Sequence, residues 1–349
     1  MFGSKKVIGL DIGTSFIKMA ELDVSGKAAT LVSFAMAPTP PGAINSGELA
    51  NPNAISSSIQ ALRAELRTKR KSISTGIWGN SVIVKKISIP KMDKKMIAEQ
   101  IKFEAEQYIP FDINTIHLDY YILPKSSSPE TMDLILVAAQ TEIVMQYANA
   151  IKGGGFELSI LDVSAFALAN IFEINYGKAK NETIGILNIG SGVTNFVALT
   201  DGYVAFARDL QVGGGNYTSE IQKEMGVTQS EAEALKMSAV RKSDAPEQVA
   251  STLAAVNDAV AEEIRTGIDF FLSSNIGQTV SRLFITGGGS GVPGLLATVA
   301  KSSKIPVDLF NPFAKIKMGN KNFSKAYLND IAPFASIVMG LGLRAAGDK

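Results

Sequence analysis

The same short pattern occurs twice in this chain, and it limits the fold more than any other feature of the sequence. Each copy is an apolar strand that runs into a turn of small residues with the core x-I-G-[ST]: IGLDIGTSFIK over residues 8–18 and ILNIGSGVTNF over residues 186–196. A strand–turn–strand unit that opens both halves indicates an internal duplication of supersecondary structure. The copies differ in charge, because the turn opens with Asp11 in the first and with Asn188 in the second.

Turns of this kind are suited to binding phosphate. Small residues between two buried strands let backbone N–H groups point outward into a shared concavity, where phosphate oxygens accept hydrogen bonds from them. Asp11 suits a hydrated Mg²⁺ ion, and Lys18 can reach a terminal phosphate as a point charge. The hydroxyls of Thr14, Ser191 and Thr194 add donors. Two facing turns would grip a polyphosphate, whereas the simpler alternative is two tight hairpins with Asp11 bonded to its own backbone.

A third glycine turn lies near the end of the chain, in FITGGGSGVPG. Following a strand and preceding a helix, its residues 287–289 let a flat ring or a ribose lie close to the backbone. The same turn also satisfies G-x-G-x-x-G at Gly289, Gly291 and Gly294, with Asp308 near the offset of a dinucleotide fingerprint. That alternative predicts an oxidoreductase. It leaves the two earlier turns unexplained, and the fingerprint usually opens a nucleotide domain rather than ending one.

Strand-like and helical runs alternate along the chain, which predicts an α/β protein. In the first half, Ile55, Ile59, Leu62 and Leu66 recur at helical spacing. A β-α-β-β-α set over residues 81–155 predicts a compact inserted unit. The second half repeats the strand–turn–strand pattern and adds helical segments from about residue 229 to residue 274.

Composition excludes several classes of function. A net charge of +1 gives no indication of a nucleic-acid partner, and the absence of cysteine removes disulfides and thiolate chemistry. The single histidine, His117, argues against a multi-histidine metal site and against Ser-His catalysis. No apolar run approaches the length of about 18 residues that a membrane-spanning helix needs. We therefore expect a soluble cytoplasmic protein, in which the basic runs LRTKRK and KKISIPKMDKK are solvated or, alternatively, contact anionic lipid headgroups.

Taken in order, the three turns resemble the motifs of the actin-like ATPase superfamily. DIGTSFIK is similar to its first phosphate motif, NIGSGVTN to the second and ITGGGSGVPGL to the adenosine motif. The resemblance implies a two-lobed, ribonuclease H-like duplicated α/β fold that binds ATP and Mg²⁺. VGGGNYTSEI and AEALK resemble the helical region that borders the base, which implies that Glu233 and Lys236 contact ribose or adenine. Asp162 matches the acid or amide that orients the attacking water.

The resemblance thus implies a complete nucleotide site. Asp11 and Asp162 are the expected catalytic residues, and Asp11 is expected to bind the metal through water. The expected nucleotide-binding residues are Gly13, Thr14, Ser15, Lys18, Asn188, Gly190, Ser191, Gly192, Thr194, Gly213, Gly214, Gly215, Glu233, Lys236, Gly287, Gly288 and Gly289.

Within the superfamily, the chain is most similar to the PilM family of type IV pilus assembly proteins and to FtsA. The insertion and the stretch FEAEQYIPF resemble PilM, and from the final GLGLRAAGDK we expect no counterpart of the membrane-targeting tail of FtsA. The implied division is a lobe 1 core (1A) at 1–80 and 156–183, an inserted subdomain (1C) at 81–155, a lobe 2 core (2A) at 184–220 and 281–349, and a helical subdomain (2B) at 221–280.

The PilM likeness implies a cytoplasmic, ATP-binding component of the pilus inner-membrane platform. Such a protein would dock the cytoplasmic N-terminal segment of PilN in a nucleotide-dependent way, contact other platform proteins and lie at the inner membrane through its partners. Ile109 and Phe111 are expected to line the docking groove, with ordinary packing as the alternative. An FtsA-like membrane scaffold is the alternative function, and self-association stays open.

The missing carboxylate at position 188 separates a scaffold from a motor. An asparagine keeps the shape of aspartate but removes a negative charge that would face the metal, so binding should survive while water activation suffers. We therefore expect a nucleotide-gated scaffold with at most weak ATPase activity, against the alternative of an ATPase that turns over to drive assembly.

Overall fold

A computed structural model describes residues 6–126, 128–241, 245–319, 321 and 323–348. Its first sheet has six strands in the order β14-β3-β2-β1-β4-β8. These strands are β1 (Ile8–Ile12), β2 (Phe16–Ser25), β3 (Ala28–Pro38), β4 (Ser72–Ile77), β8 (Glu157–Val163) and β14 (Lys317–Met318). β1 is buried along its whole length and pairs antiparallel with β2 and parallel with β4. The first phosphate-type turn therefore begins in the middle of this sheet.

Helices cover both faces of the first sheet. α1 (Pro52–Leu66) and α3 (Thr141–Gly153) lie on one face, and α4 (Ser164–Tyr176) and α9 (Lys325–Gly342) lie on the other. α1 begins at Asn51, whose side chain accepts from Ala54 N–H, and Pro52 occupies its first turn. Its buried residues are the four that the helical spacing predicts, Ile55, Ile59, Leu62 and Leu66, so that prediction is confirmed.

A small antiparallel sheet follows, with the strand order β5-β7-β6. Its strands are β5 (Val82–Pro90), β6 (Ile116–Ile122) and β7 (Thr131–Gln140). Helix α2 (Lys94–Glu106) covers one face with Ile97, Ile101 and Ala105. The other face packs toward the second half of the chain, where β11 (Tyr203–Leu210) lies beside β5. The small sheet therefore contacts both halves of the molecule.

The second large sheet has five strands in the order β11-β10-β9-β12-β13. The remaining strands are β9 (Thr183–Ile189), β10 (Thr194–Thr200), β12 (Val280–Thr286) and β13 (Val307–Leu309). Its helices are α5 (Gly214–Met225), α6 (Gln229–Val240), α7 (Glu247–Ser274) and α8 (Leu295–Ser303). A short 3₁₀ turn at Gly288–Gly291 follows β12, and another at Ile113–Thr115 precedes β6 of the small sheet. In the part of the chain that the structure describes, no helix is long and apolar enough to cross a membrane.

The two large sheets repeat one topology. In each, the first two strands of the half form an antiparallel hairpin, the third strand extends it, and a later strand pairs in parallel on the far side of the first strand. The register is also repeated, since Asp11 faces Lys18 and Asn188 faces Asn195. The predicted duplication and α/β class are confirmed.

Helices α4 and α9 lie between the two large sheets. One hydrophobic cluster joins them to Leu31 and Phe34 of the first sheet and to Ile186 and Val197 of the second. The end of the chain returns to the first sheet, because β14 pairs with β3 and α9 packs on β1. The division into four subdomains stays a prediction.

Candidate functional site

A cleft of about 1020 Å³ opens between the two large sheets. Both phosphate-type turns, the third glycine turn, α6 and the first half of α9 contribute to its walls. It brings together most of the residues that the sequence predicts for the site: Asp11, Gly13, Thr14, Ser15, Lys18, Asn188, Gly190, Ser191, Gly192, Gly214, Glu233, Lys236, Gly287, Gly288 and Gly289.

In the first turn, an ion pair joins the two strands. Lys18 Nζ on β2 donates to Asp11 Oδ2 on β1 at 2.7 Å, and their side chains are only 11% and 7% exposed. Gly13 N–H donates to Phe16 O and closes the turn. The N–H groups of Thr14 and Ser15 donate to no group within the described residues, so they are available to an anion.

In the second turn, a pair of amides takes the place of the ion pair. Asn188 Nδ2 donates to Asn195 Oδ1 at 2.9 Å across the hairpin. Asn195 Nδ2 in turn donates to Asp209 Oδ1 on β11 at 2.7 Å. Burial raises the pKa of Asp209, opposed by the hydrogen bonds that its carboxylate accepts from Asn195 and from Gly79 N–H. Ser191 N–H, like those in the first turn, donates to no group in the described ranges.

Asn195 and Asp209 are functional candidates that the sequence interpretation missed. Asn195 has a signal in the sequence, because it follows Asn188 by seven residues just as Lys18 follows Asp11. Asp209 has no comparable local signal, since it reaches the turn only through the pairing of β10 with β11. The cleft is completed by further residues that the sequence did not single out: Phe16, Met36, Trp78, Met237, Val240, Arg241, Val292, Tyr327, Asp330 and Phe334.

The glycines after β11 support the second turn from behind. Gly214 N–H donates to Gly190 O at 2.7 Å, and Gly215 N–H donates to Ser191 O at 2.8 Å. A Cβ atom on Gly213 would lie 2.6 Å from the carbonyl oxygens of Gly190 and Ser191, so only glycine permits this approach. Gly213 and Gly215 therefore hold the turn in place but do not line the cleft. The predicted residue Thr194 is buried and donates to Val212 O, so it too lies behind the turn.

The two turns meet across the cleft. Gly192 N–H donates to Thr14 Oγ1 at 3.3 Å, a direct contact between the two halves of the molecule. The third glycine turn packs beside them, where Gly287 has φ +92° and a Cβ there would lie 2.3 Å from Ile189 O. Asp308, which the dinucleotide interpretation needs for a ribose, forms an ion pair with Arg282 and does not line the cleft.

On α6, Glu233 and Lys236 form a linked pair at the edge of the cleft. Lys236 Nζ donates to Glu233 Oε2 at 2.7 Å, to Thr218 Oγ1 at 2.9 Å and to Gly214 O at 3.0 Å. The lysine side chain is only 8% exposed, whereas that of Glu233 is 49% exposed. Lys236 therefore anchors α6 to α5, and Glu233 is the more exposed member of the pair.

Three further predicted residues lie away from the cleft. Asp162 is buried on β8, where it forms an ion pair with Arg344 and accepts from Val163 N–H. Burial raises its pKa, and the guanidinium of Arg344 opposes that rise. Asp162 is not among the described residues that line the cleft. Ile109 is 5% exposed in the core between α2 and the small sheet, and Phe111 is half-buried at the margin of that core.

The cleft fits a hydrated Mg²⁺ nucleotide better than a protein-ligated metal. No group of three or more His, Cys, Asp or Glu side chains that could hold a metal occurs in the described part of the chain. The oxygens beside the two turns include the Asp11 carboxylate and the Asn188 amide. Mg²⁺ typically takes one or two carboxylates and completes its shell with water and phosphate oxygens, which matches this donor set.

Comparisons with known proteins agree with this architecture. Residues 9–346 match the family described as type IV pilus assembly protein PilM. Among solved structures, the chain is similar to a PilM-PilN type IV pilus biogenesis complex, with 28% sequence identity, a TM-score of 0.87 and coverage of 97% of this chain and 98% of that chain. It is also similar to ethanolamine utilization protein EutJ from Carboxydothermus hydrogenoformans, with 14% identity, a TM-score of 0.59 and coverage of 97% and 89%. This chain therefore belongs to the PilM family of type IV pilus assembly proteins, and its duplicated α/β architecture is the actin-like fold that the sequence predicts.

Proposed function

We propose that this protein is a nucleotide-dependent scaffold of the type IV pilus assembly platform. It binds Mg-ATP in the cleft and docks the cytoplasmic N-terminal segment of a PilN-type partner on the small sheet. The observation that carries the proposal is one hydrogen bond, which Gly79 N–H donates to Asp209 Oδ2 at 2.7 Å. This bond joins the strand behind the second turn to the residues that lead into the small sheet. The protein acts in the cytoplasm and reaches the inner membrane through PilN and other platform proteins.

Nucleotide binding is supported by the chemistry of the cleft walls. Backbone N–H groups from both turns can donate to phosphate oxygens, and Lys18 adds a positive charge that Asp11 holds in place. The volume of about 1020 Å³ is at the upper end of the range for small-molecule pockets. Bound Mg²⁺ would neutralise phosphate charge, and the oxygens of Asp11 and Asn188 would hold its water molecules.

Coupling to the partner is supported by a continuous set of hydrogen bonds. Asn188 donates to Asn195, Asn195 donates to Asp209, and Asp209 accepts from Gly79. Gly79 lies just before β5, which packs beside β11. A ligand that draws the second turn toward the first therefore also pulls on the start of the small sheet. We propose that this connection has two states and that both binding sites bias the equilibrium between them.

The small sheet is the proposed docking surface for the partner. The similar solved complex at 28% identity contains PilN, which supports a PilN-type partner for this chain. An extended peptide needs an apolar groove or a sheet edge. Phe111 is half-buried at the margin of the small-sheet core and offers apolar surface to such a peptide. Ile109 is a buried member of the core cluster against which Phe111 packs.

Hydrolysis is expected to be slow. Of the two phosphate-type turns, only the first carries a carboxylate, and Asp162 is engaged with Arg344 away from the cleft. Among the described residues, the two turns therefore offer one carboxylate, that of Asp11, to a hydrated metal and to the attacking water. Membership of the PilM family favours the scaffold over the FtsA-like alternative.

The test is a titration of a PilN N-terminal peptide with and without Mg-ATP, in which fluorescence anisotropy measures peptide binding. We expect the peptide affinity to change several-fold with nucleotide, and the Phe111→Ala variant to bind the peptide more weakly in both conditions. The Ile276→Ala variant is a matched control, because Ile276 is 95% exposed on the second half of the chain, far along the sequence from the small sheet. Equal peptide affinity with and without Mg-ATP would remove the coupling from the account.

A further inference from the structure

The amide chain behind the second turn ends on Asp209, which accepts a hydrogen bond on each of its two carboxylate oxygens. Asp209 uses both carboxylate oxygens: Oδ1 accepts from Asn195 Nδ2 at 2.7 Å, and Oδ2 accepts from Gly79 N–H at 2.7 Å. An ionised carboxylate has no donor to offer. The side chain of Asn195, which is 4% exposed, must therefore turn its NH₂ group toward Asp209.

The orientation of Asn195 in turn fixes the orientation of Asn188, which lines the cleft. With its NH₂ group committed to Asp209, Asn195 presents Oδ1 to its cross-strand neighbour. Asn188 can meet that oxygen only with Nδ2, and it does so at 2.9 Å. Asn188 Oδ1 is then left without a partner among the described residues, on a side chain that lines the cleft. The partners, rather than the shape of the amides, fix this orientation.

We propose that Asp209 is a positioning residue that makes the second turn present an oxygen, and not an NH₂ group, to a hydrated Mg²⁺ ion bound with nucleotide. Asp209 touches neither the nucleotide nor the ion. It acts through Asn195 on Asn188, and so it offsets part of what the turn loses by carrying an amide in place of a carboxylate. The proposal rests on the proposed function, because it requires that the cleft binds a magnesium nucleotide.

The Asp209→Asn variant isolates this role, because every hydrogen bond can re-form with reversed polarity. The new amide oxygen accepts from Gly79 N–H, and its NH₂ group donates to Asn195 Oδ1. Asn195 then donates to Asn188 Oδ1, and the NH₂ group of Asn188 faces the cleft. The number of hydrogen bonds and the side-chain volumes stay the same, so the fold is retained. What changes is the sign of the dipole offered to the cation.

The experiment measures ATP affinity by calorimetry in Mg²⁺ and in EDTA, so its readout is binding and not activity. In the wild type, we expect Mg²⁺ to tighten ATP binding. In Asp209→Asn we expect that enhancement to fall by about tenfold, the lower end of what outer-shell partners of a metal contribute, with ATP affinity in EDTA unchanged or tighter. The Asn188→Ala variant should lose a similar part of the enhancement, and the double variant should lose no more than either single one.

Two controls separate this role from a structural one and from failure of the proposed function. Asp308→Asn makes the same charge change at the ion pair with Arg282, outside the cleft, and should leave the enhancement intact. An unchanged Mg²⁺ enhancement in Asp209→Asn, or equal losses of affinity in Mg²⁺ and EDTA, would overturn the positioning role. Absence of any ATP binding by the wild type would instead overturn the proposed function, and this inference with it.

Discussion

The two phosphate-type turns occupy equivalent places in the two halves of the molecule, but different chemistry joins the strands of each. In the first, Lys18 and Asp11 form an ion pair; in the second, Asn195 and Asn188 form an amide pair. In each pair, the two residues are seven positions apart in the sequence and face each other across an antiparallel hairpin. The duplicated backbone therefore preserves the phosphate cradle, while the side chains decide how much charge faces a cation.

The two pairs also differ in whether they are hydrogen-bonded to the rest of the molecule. The ion pair is closed, because the Lys18 ammonium and the Asp11 carboxylate satisfy each other. The amide pair is open, because an amide both donates and accepts, and the second turn is thereby linked through Asp209 to Gly79 and the start of the small sheet. We infer that the first turn binds the charged phosphates and metal of the nucleotide. The second turn couples nucleotide binding to the small sheet.

Breaking the ion pair is the change with the largest expected effect. Lys18→Ala leaves the Asp11 carboxylate buried without its partner, and such a loss typically costs about 3 to 5 kcal/mol in the free energy of unfolding. Urea denaturation measures this cost. A loss below about 1 kcal/mol, as for an exposed pair, would contradict the closed ion pair.

The double variant Asp11→Asn with Lys18→Asn sharpens the comparison, since it copies the second turn's amide pair into the first turn. It removes the uncompensated charge, so we expect it to recover most of the stability that Lys18→Ala loses. In Mg²⁺, this double variant should nevertheless bind ATP more weakly than the wild type does, because neither turn then carries a charged side chain. Tight Mg-ATP binding by this double variant would show that the charge of the first turn is dispensable.

Asn195→Ala has the next largest effect. It leaves the Asp209 carboxylate short of one donor and Asn188 Nδ2 without its acceptor. Unsatisfied buried polar groups cost about 1 to 3 kcal/mol each, so we expect about 2 to 3 kcal/mol by urea denaturation. Coupling of peptide binding to nucleotide should also be lost, since the link to Gly79 is cut. Retained coupling in a folded Asn195→Ala protein would place the connection elsewhere.

Placing a carboxylate in the second turn is expected to raise ATP turnover, an effect smaller than the losses above. Asn188→Asp returns a negative charge that can face the metal and activate water, and we expect ATP turnover to rise by up to about tenfold, equivalent to about 1.4 kcal/mol. Phosphate release measures the gain. No change in turnover would mean that position 188 does not act on the attacking water.

The smallest expected effect comes from the contact between the turns. Thr14→Val keeps the shape of the side chain but removes the acceptor of the Gly192 N–H bond. This 3.3 Å bond is exposed, so we expect a loss of about 0.5 kcal/mol in urea, at the low end for a neutral hydrogen bond. A loss above about 2 kcal/mol would mean that the direct contact, and not the shared ligand, holds the turns together.

The sequence predicts the parts of the fold and of the site that depend on local pattern. The two turns, the buried face of α1 and the repeated hairpins all follow from spacing that is visible within about twenty residues. Asp209 does not, because it meets Asn195 only through the register of β10 and β11. Asp162 pairs with Arg344 from the far end of the chain. Ile109 enters the core because the chain turns back toward the small sheet after α2 ends at Glu106.

We infer that the second turn helps to bind a nucleotide but does little to activate water. Parallel measurement of Mg-ATP binding and phosphate release on one wild-type preparation tests it most directly. We predict saturable Mg-ATP binding together with turnover far below the range of about 1 to 10³ s⁻¹ that is typical of enzymes. Turnover within that range, or no binding of Mg-ATP at all, would contradict the account.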